Sequence, residues 1–290
     1  MDSARSLPAP VLSVIIPANN EADHITACLT ALLASDWPRG NPRTGVEVLV
    51  VANGCTDDTV VQAHKLADTA LARQWRLRVI ELEEGSKLGA LNTADALAQG
   101  DIRAYLDADV ILSPPLLGEL YAALAREPAA YASGRVLIPR PDSFVSRAYA
   151  RIYRRVPFMA HGVPGCGLFA VNSAGRARWG NWPDIISDDT FVRLLFSPNE
   201  RIGVPATYQW PLPEGWQNLL KVRRRQNAGV RQIKAKFPSL LQNDDKAKLG
   251  PLGVVKLAVT DPIGFAVYGG MALWLRLFPQ SGNNAWTRGR

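Results

Sequence analysis

Residues 105–110 read YLDADV, and two carboxylates, Asp107 and Asp109, stand one residue apart between apolar neighbours. Acids at i and i+2 after a strand can reach one divalent ion. Mg²⁺ and Mn²⁺ favour oxygen ligands of this kind and usually share their shell with substrate phosphates. The same pair also fits a solvated loop or a helix cap, so the spacing leaves three readings open. A second acidic pair, Asp188-Asp189, follows the glycine-rich, aromatic stretch that begins HGVPGCGLFAVN at residue 161 and precedes helical spacing over 190–196. A carboxylate there can accept a proton from an attacking hydroxyl, or it can simply complement a helix dipole. The basic run VRRRQNAG, residues 222–229, offers guanidinium groups to phosphates or forms a solvated face.

These groups need elements to hold them. Over the first 110 residues, β-branched apolar runs at 11–16, 46–51, 77–82 and 102–106 alternate with helical spacing at 21–34, 57–72 and 87–99. Asp57 or Thr56 reads as an N-cap, and Gly100 as the C-cap of the third helix. Such alternation predicts parallel strands with right-handed crossovers and a ligand site at their carboxyl ends. Four polar clusters fall there: Asn19-Asn20-Glu21, Asn53 to Asp58, Gly85 to Lys87, and Asp107 to Asp109. Beyond residue 110 the pattern loosens. A strand is expected at 131–138, an arginine-rich helix at 142–155, a strand at 202–208 and a basic helix or helix pair at 215–237.

The composition suits one large α/β domain or two small ones, with 290 residues and 47% hydrophobic content. Thirty-three Lys+Arg against 26 Asp+Glu give a net +7, a balance that attracts anionic membranes or phosphorylated substrates. Cys28, Cys55 and Cys166 are too few and too far apart for a disulfide framework or a zinc site, which suggests a reducing compartment. The first ten residues carry no apolar stretch of a secretory signal.

Four segments, VIIPANNE (14–21), VVANGCTDDT (50–59), GSKLGALN (85–92) and AYLDADVILSPPLL (104–117), resemble in order and spacing the nucleotide-sugar motifs of family 2 glycosyltransferases. The resemblance covers roughly residues 11–230. It implies a GT-A fold, a single Rossmann-like α/β domain with a mostly parallel central sheet. It also implies an inverting transfer from a nucleotide-sugar donor, UDP-sugar by first expectation, to a saccharide or lipid-linked acceptor. In those roles Pro17, Ala18 and Glu21 line the nucleoside pocket, and Lys87 approaches the base or pyrophosphate. Asp107 faces ribose or metal, and Asp109 holds the Mg²⁺ or Mn²⁺. Asn53 stands where the family usually carries a base-reading Asp, and it brings a donor as well as an acceptor. ISDDTFV (186–192) matches the family's acidic pair, with Asp189 as general base and Asp188 in the place of a Glu. Gly165, Cys166 and Gly167 fall in the segment that floors the acceptor site. Arg224 and Arg225 are placed at the diphosphate; Gln226 replaces the tryptophan of processive members, so a single transfer is favoured.

The apolar stretch 252–278 has only fourteen uncharged residues in a row, from Pro262 to Leu275, short of the roughly 20 needed to span a bilayer. It fits an interfacial helix with Tyr268, Trp274 and Arg276 at headgroup level, or a buried helix of a soluble or dimeric protein. The expected organisation is a tail (1–10), a donor-binding half (11–110), an acceptor-binding and catalytic half (111–237) and a C-terminal apolar segment (238–290). The expected location is the inner face of the cytoplasmic membrane, peripherally attached, in polysaccharide or envelope-glycan synthesis, with no nucleic-acid partner. Three other readings stay open: a retaining transferase, a nucleotidyltransferase and a non-catalytic nucleotide-sugar-binding or membrane-associated protein.

Overall fold

The computed structural model describes residues 7, 9–37, 45–247 and 249–278. They form two compact units interleaved along the chain. The first comprises Met1–Arg135, Gly165–Asp184 and Asn199–Tyr208, and the second Val136–Pro164, Ile185–Pro198 and Gln209–Arg290.

The first unit is α/β. Its strands are β1 (Pro10–Ala18), β2 (Gly45–Asn53), β3 (Arg76–Leu82), β4 (Ile102–Leu106), β5 (Ile111–Leu112), β6 (Tyr131–Leu137), β7 (Leu168–Asn172) and β8 (Arg201–Gln209). They make one eight-stranded sheet in the order β3-β2-β1-β4-β7-β6-β8-β5. β1 runs parallel to both β2 and β4, and β2 runs parallel to β3. β7 is antiparallel to β4 and to β6. All nine residues of β2 are buried, which explains an apolar run with no alternation: a strand inside a parallel sheet has no wet face. The helices of this unit are α1 (Ala22–Leu33), α2 (Thr59–His64), α3 (Ala67–Ala72), α4 (Lys87–Leu97), α5 (Leu116–Leu124) and α8 (Ser173–Arg176).

Several local expectations shift. The helix expected over 57–72 is two helices, because the Leu66 N–H turns back to Ala63 O at 3.2 Å. Gly100 does not cap α4, which ends earlier at Ala98 in an extended conformation. Gly100 is instead a close-packing residue: a Cβ on it would lie 2.6 Å from the Ser13 nitrogen. Its N–H donates to Ser13 Oγ at 2.8 Å, and that hydroxyl donates to the buried Glu47 at 2.6 Å. β7 lies within the stretch that reads as a glycine-rich loop.

The second unit is helical: α6 (Phe144–Tyr153), α7 (Pro157–Ala160), α9 (Asp188–Leu194), α10 (Gly215–Lys236), α11 (Pro251–Thr260) and α12 (Pro262–Leu277), with a 3₁₀ turn at Pro238–Asn243. The 252–278 stretch breaks at Asp261, where Pro262 opens α12. Asp261 caps that helix by accepting from Gly264 N at 2.9 Å. It also takes a two-pronged hydrogen bond from Arg151 of α6, at 2.6 and 2.9 Å. Tyr268 is half-buried. It packs 5.0 Å from the Tyr149 ring and 6.5 Å from that of Tyr153, in a cluster that buries Met271 to 1% exposure.

Candidate active site

In the first unit, the carboxyl ends of four adjacent strands carry the four polar loops, and side-chain or backbone contacts fasten each loop to another. Asn19 Nδ2 donates to Asn53 O at 2.5 Å and to Gly54 O at 3.2 Å. Asn20 holds a left-handed φ of 49° and accepts from Thr56 N at 2.5 Å. Asp57 accepts from Ala22 N at 3.1 Å and from Thr59 N at 3.0 Å, so this acid braces the β1 and β2 loops. Glu21 is half-buried, and its N–H donates to Thr59 Oγ1 at 2.6 Å. Gly54 has φ of 58°, and its N–H reaches Leu82 O at 2.8 Å. A Cβ at Gly54 would lie 2.6 Å from Gly85 N, so the β2 and β3 loops touch backbone to backbone. Ser86 caps α4 by accepting from Gly89 N at 3.0 Å, which fixes Lys87 in the first turn.

The DAD segment follows β4 directly. Leu106, Ala108 and Val110 are buried, while Asp107 and Asp109 stay partly exposed. A turn closes from Val110 N to Asp107 O at 3.1 Å. Lys87 Nζ lies 3.0 Å from Asp107 Oδ1. This partly exposed ion pair adds little stability, yet it sets a cation beside the acids. Asp107 N donates to Gly167 O at 2.8 Å, joining the acidic turn to the 165–167 loop. Gly165 and Gly167 hold φ of 66° and 73°. A Cβ on Gly165 would fall 1.7 Å from Tyr131 Oη. Cys166 O accepts from Tyr208 Oη at 2.9 Å.

Two expected pocket residues are buried. Ala18 is fully buried, and its carbonyl accepts from Asn53 Nδ2 at 2.9 Å and Cys55 Sγ at 3.5 Å. Asn53 is 1% exposed, and its Nδ2 also donates to Val51 O at 3.2 Å. Its Oδ1 is buried without a partner among the described residues. Pro17 is half-buried.

No group of three or more His, Cys, Asp or Glu that could hold a metal occurs among the described residues. Asp107 and Asp109 supply an incomplete oxygen set. That set fits an ion which takes its remaining ligands from a diphosphate and water.

Sequence reasoning missed the hub at Asp95 on α4. This carboxylate, 5% exposed, accepts from Arg103 at 2.7 Å, Tyr105 Oη at 2.8 Å and Trp182 Nε1 at 2.7 Å, with Arg176 at 3.0 Å. Burial, with the Asp95 carboxylate beside it, holds the Tyr105 phenol well above its usual range. One turn earlier, Asn92 Oδ1 accepts from Trp182 N at 2.8 Å, so α4 fixes the 176–182 segment.

In the second unit, Asp188 and Asp189 form the first turn of α9, after the cap residue Ser187. Asp188 is buried at 8% exposure, and Asp189 is half-buried with its Oδ1 accepting from Thr190 N at 2.6 Å. α10 fixes the approach to this turn. Gln232 Oε1 accepts from Ile186 N at 2.8 Å, and a Cβ on Gly229 would lie 2.0 Å from Ser187 Oγ. At the far end of α9, the buried Arg193 pairs with Asp244 and Asp245 and lies over the Phe158 ring at 5.1 Å. On α10, the Arg224 Nε is buried without a partner among the described residues, and Arg225 is half-buried.

A family model, Glycosyl transferase family 2, matches residues 13–181. Glycosyltransferase AglE of Haloferax volcanii is 39% identical over 100 residues, covering 34% of this chain and 31% of that protein. Beta-monoglucosyldiacylglycerol synthase of Nostoc sp. is 31% identical over 122 residues, 41% of this chain and 24% of that protein. The matches thus span between 24% and 31% of these curated relatives. Among solved structures, mannosyltransferase PcManGT from Pyrobaculum calidifontis, in complex with GDP-Man and Mn²⁺, aligns with a TM-score of 0.59 at 24% identity. That alignment covers 93% of this chain and 76% of that one. S. aureus TarS 1-349, in complex with UDP-GlcNAc, aligns at 0.51 and 16% identity, covering 92% and 91%. The shared fold is the GT-A type expected.

Proposed function

The chain belongs to glycosyl transferase family 2, and on that premise we propose a metal-dependent, inverting transfer of one sugar from a nucleotide diphosphate to a hydroxyl. The acceptor is a saccharide or a lipid-linked acceptor, and the setting is polysaccharide or cell-envelope glycan synthesis. The observation that carries this reading is the bracing of the four donor loops into one surface, with Asp107, Asp109 and Lys87 on it.

In this reading the protein mainly positions and neutralises charge. Pro17, Glu21 and the backbone at Ala18 border the nucleoside. The Asn53 amide gives its N–H groups to backbone carbonyls, and its Oδ1, buried without a partner among the described residues, is the acceptor that a ring N–H of the base would have to reach. Uracil and guanine both present such an N–H, so UDP- and GDP-sugars are both candidate donors. PcManGT holds GDP-Man and S. aureus TarS holds UDP-GlcNAc. Asp109 and Asp107 would hold Mg²⁺ or Mn²⁺. A bound divalent ion stabilises the charge that collects on the departing diphosphate. Lys87 adds a fixed cation, and Arg224 and Arg225 supply guanidinium groups to the phosphates. Asp189 accepts the acceptor's hydroxyl proton while that oxygen bonds to the anomeric carbon. The bond from that carbon to the diphosphate breaks, and its electron pair leaves on the diphosphate oxygen. Gly165, Cys166 and Gly167 floor the acceptor side.

Turnover tests this directly, with release of nucleoside diphosphate measured across UDP- and GDP-sugars. Asp109→Ala is expected to abolish donor turnover. Asp189→Asn is expected to keep donor binding and lower transfer by about 10²–10⁴-fold, the usual contribution of a general base. Pyrophosphate release instead would identify a nucleotidyltransferase, and retention at the anomeric carbon would remove the base. Equal activity in wild type and both variants would overturn the assignment of the site.

A further inference from the structure

Charge in this protein is sorted between its two units. Among the described residues, the unit holding the C-terminal helices carries 16 Lys+Arg against 7 Asp+Glu, net +9, and the other carries 11 against 18, net −7. The basic unit also displays the densest run of exposed apolar side chains. On α11, Leu252 is 87% exposed, Val255 59% and Val259 77%. Their spacing of three and four places them on one helical face, with Leu257 buried on the other. On α12 the same logic groups Ile263, Leu273, Trp274 and Leu277, exposed at 53%, 56%, 45% and 62%. Gly264 and Met271 occupy the buried side. Isolated exposed leucines need no explanation, but two successive helices with an apolar outer stripe do.

Cations rim these faces. Lys256 and Arg276 are exposed within the two helices. Arg155, also exposed, reaches Thr260 Oγ1 at 3.2 Å, beside the break between them. Trp274 and Phe278 pair at 4.7 Å next to Arg276, an aromatic and basic combination suited to a headgroup boundary. No described helix is long and apolar enough to cross a membrane. α12, at 16 residues, reaches only about 24 Å.

We propose that the exposed faces of α11 and α12, rimmed by Lys256, Arg276 and Arg155, dock onto an anionic lipid bilayer and lie in its interface. Charge selects this occupant over a second copy of the chain. A symmetric dimer through the same face would oppose one basic unit to another, whereas an anionic leaflet complements it. The Arg151–Asp261 clamp holds the start of α12 on α6, so the stripe is presented by a packed helix. The proposal does not depend on the chemistry of the donor loops.

The test is flotation of the full chain with vesicles of phosphatidylcholine alone and of phosphatidylcholine mixed with phosphatidylglycerol, at low and high salt. Wild type is expected to float with the mixed vesicles, and salt is expected to weaken that binding. Leu273→Glu with Trp274→Glu is expected to lower binding at least about tenfold, with an unchanged thermal midpoint and sedimentation as wild type. Lys256→Gln with Arg276→Gln is expected to lower binding to the mixed vesicles only. These exposed residues lie outside the donor and base sites, so soluble-donor turnover stays unchanged. No flotation at low salt would overturn the proposal. So would a wild-type dimer that Leu273→Glu with Trp274→Glu turns into a monomer without changing flotation.

Discussion

Asp107 and Asp109 flank the buried Ala108, and Lys87 pairs with Asp107 at 3.0 Å. Removing the lysine leaves Asp107 without this cation and takes a positive charge from the proposed diphosphate site. Lys87→Ala is therefore expected to weaken donor binding roughly tenfold, about 1.4 kcal/mol, and calorimetry with the nucleotide sugar measures it. Unchanged affinity would place the lysine outside the donor site. The placing of these loops at strand ends was legible in sequence, because each apolar run stops in a cluster of acids, amides and glycines. The pairing partners were not. Nothing local says that Asn92 fastens Trp182, or that Gln232 holds Ile186, since each bond joins residues 90 and 46 positions apart.

The elements show the same division. The four parallel strands and their helices could be read from apolar periodicity, which is a local signal. β7 could not, because its five residues sit among glycines and its burial comes from pairing with β4. The break at Asp261 did carry a local signal, the Asp261-Pro262 pair, but the hydrogen bonds from Arg151 that fasten it did not, since they come from 110 positions away. α9 depends on α10 for its position, so Gly229→Ala is expected to push Ser187 away, lower transfer more than donor binding, and cost about 1–3 kcal/mol by overpacking. A thermal melt beside a kcat measurement separates the two effects. The Arg151 hydrogen bonds hold Asp261 at about 2, below its ordinary 3.8. A depressed carboxylate pKa contributes stability that is complete above the unfolded value and is lost as pH falls through the folded one. Asp261→Asn should therefore be less stable than wild type, by about 1 kcal/mol, above roughly pH 4, and the two melting curves should converge toward pH 2. A difference that persists undiminished at pH 2 would assign the effect to the cap alone.

For the whole molecule, a net charge of +7 conceals an acidic unit and a basic one. Composition alone pointed to anionic partners, but it could not say that the cations gather with the exposed apolar helices. The acidic unit carries the four loops proposed to bind the nucleotide sugar. The most direct test of that binding is thermal unfolding across a panel of UDP- and GDP-sugars with and without Mn²⁺. A donor at 100 times its Kd adds about 2.7 kcal/mol, which raises the midpoint by about 5–10 °C for a chain of this size. Such a rise is expected for one nucleotide sugar, dependent on Mn²⁺, lost in Asp109→Ala and kept in Asp189→Asn. No rise with any nucleotide sugar, or an equal rise in Asp109→Ala, would contradict the proposed binding.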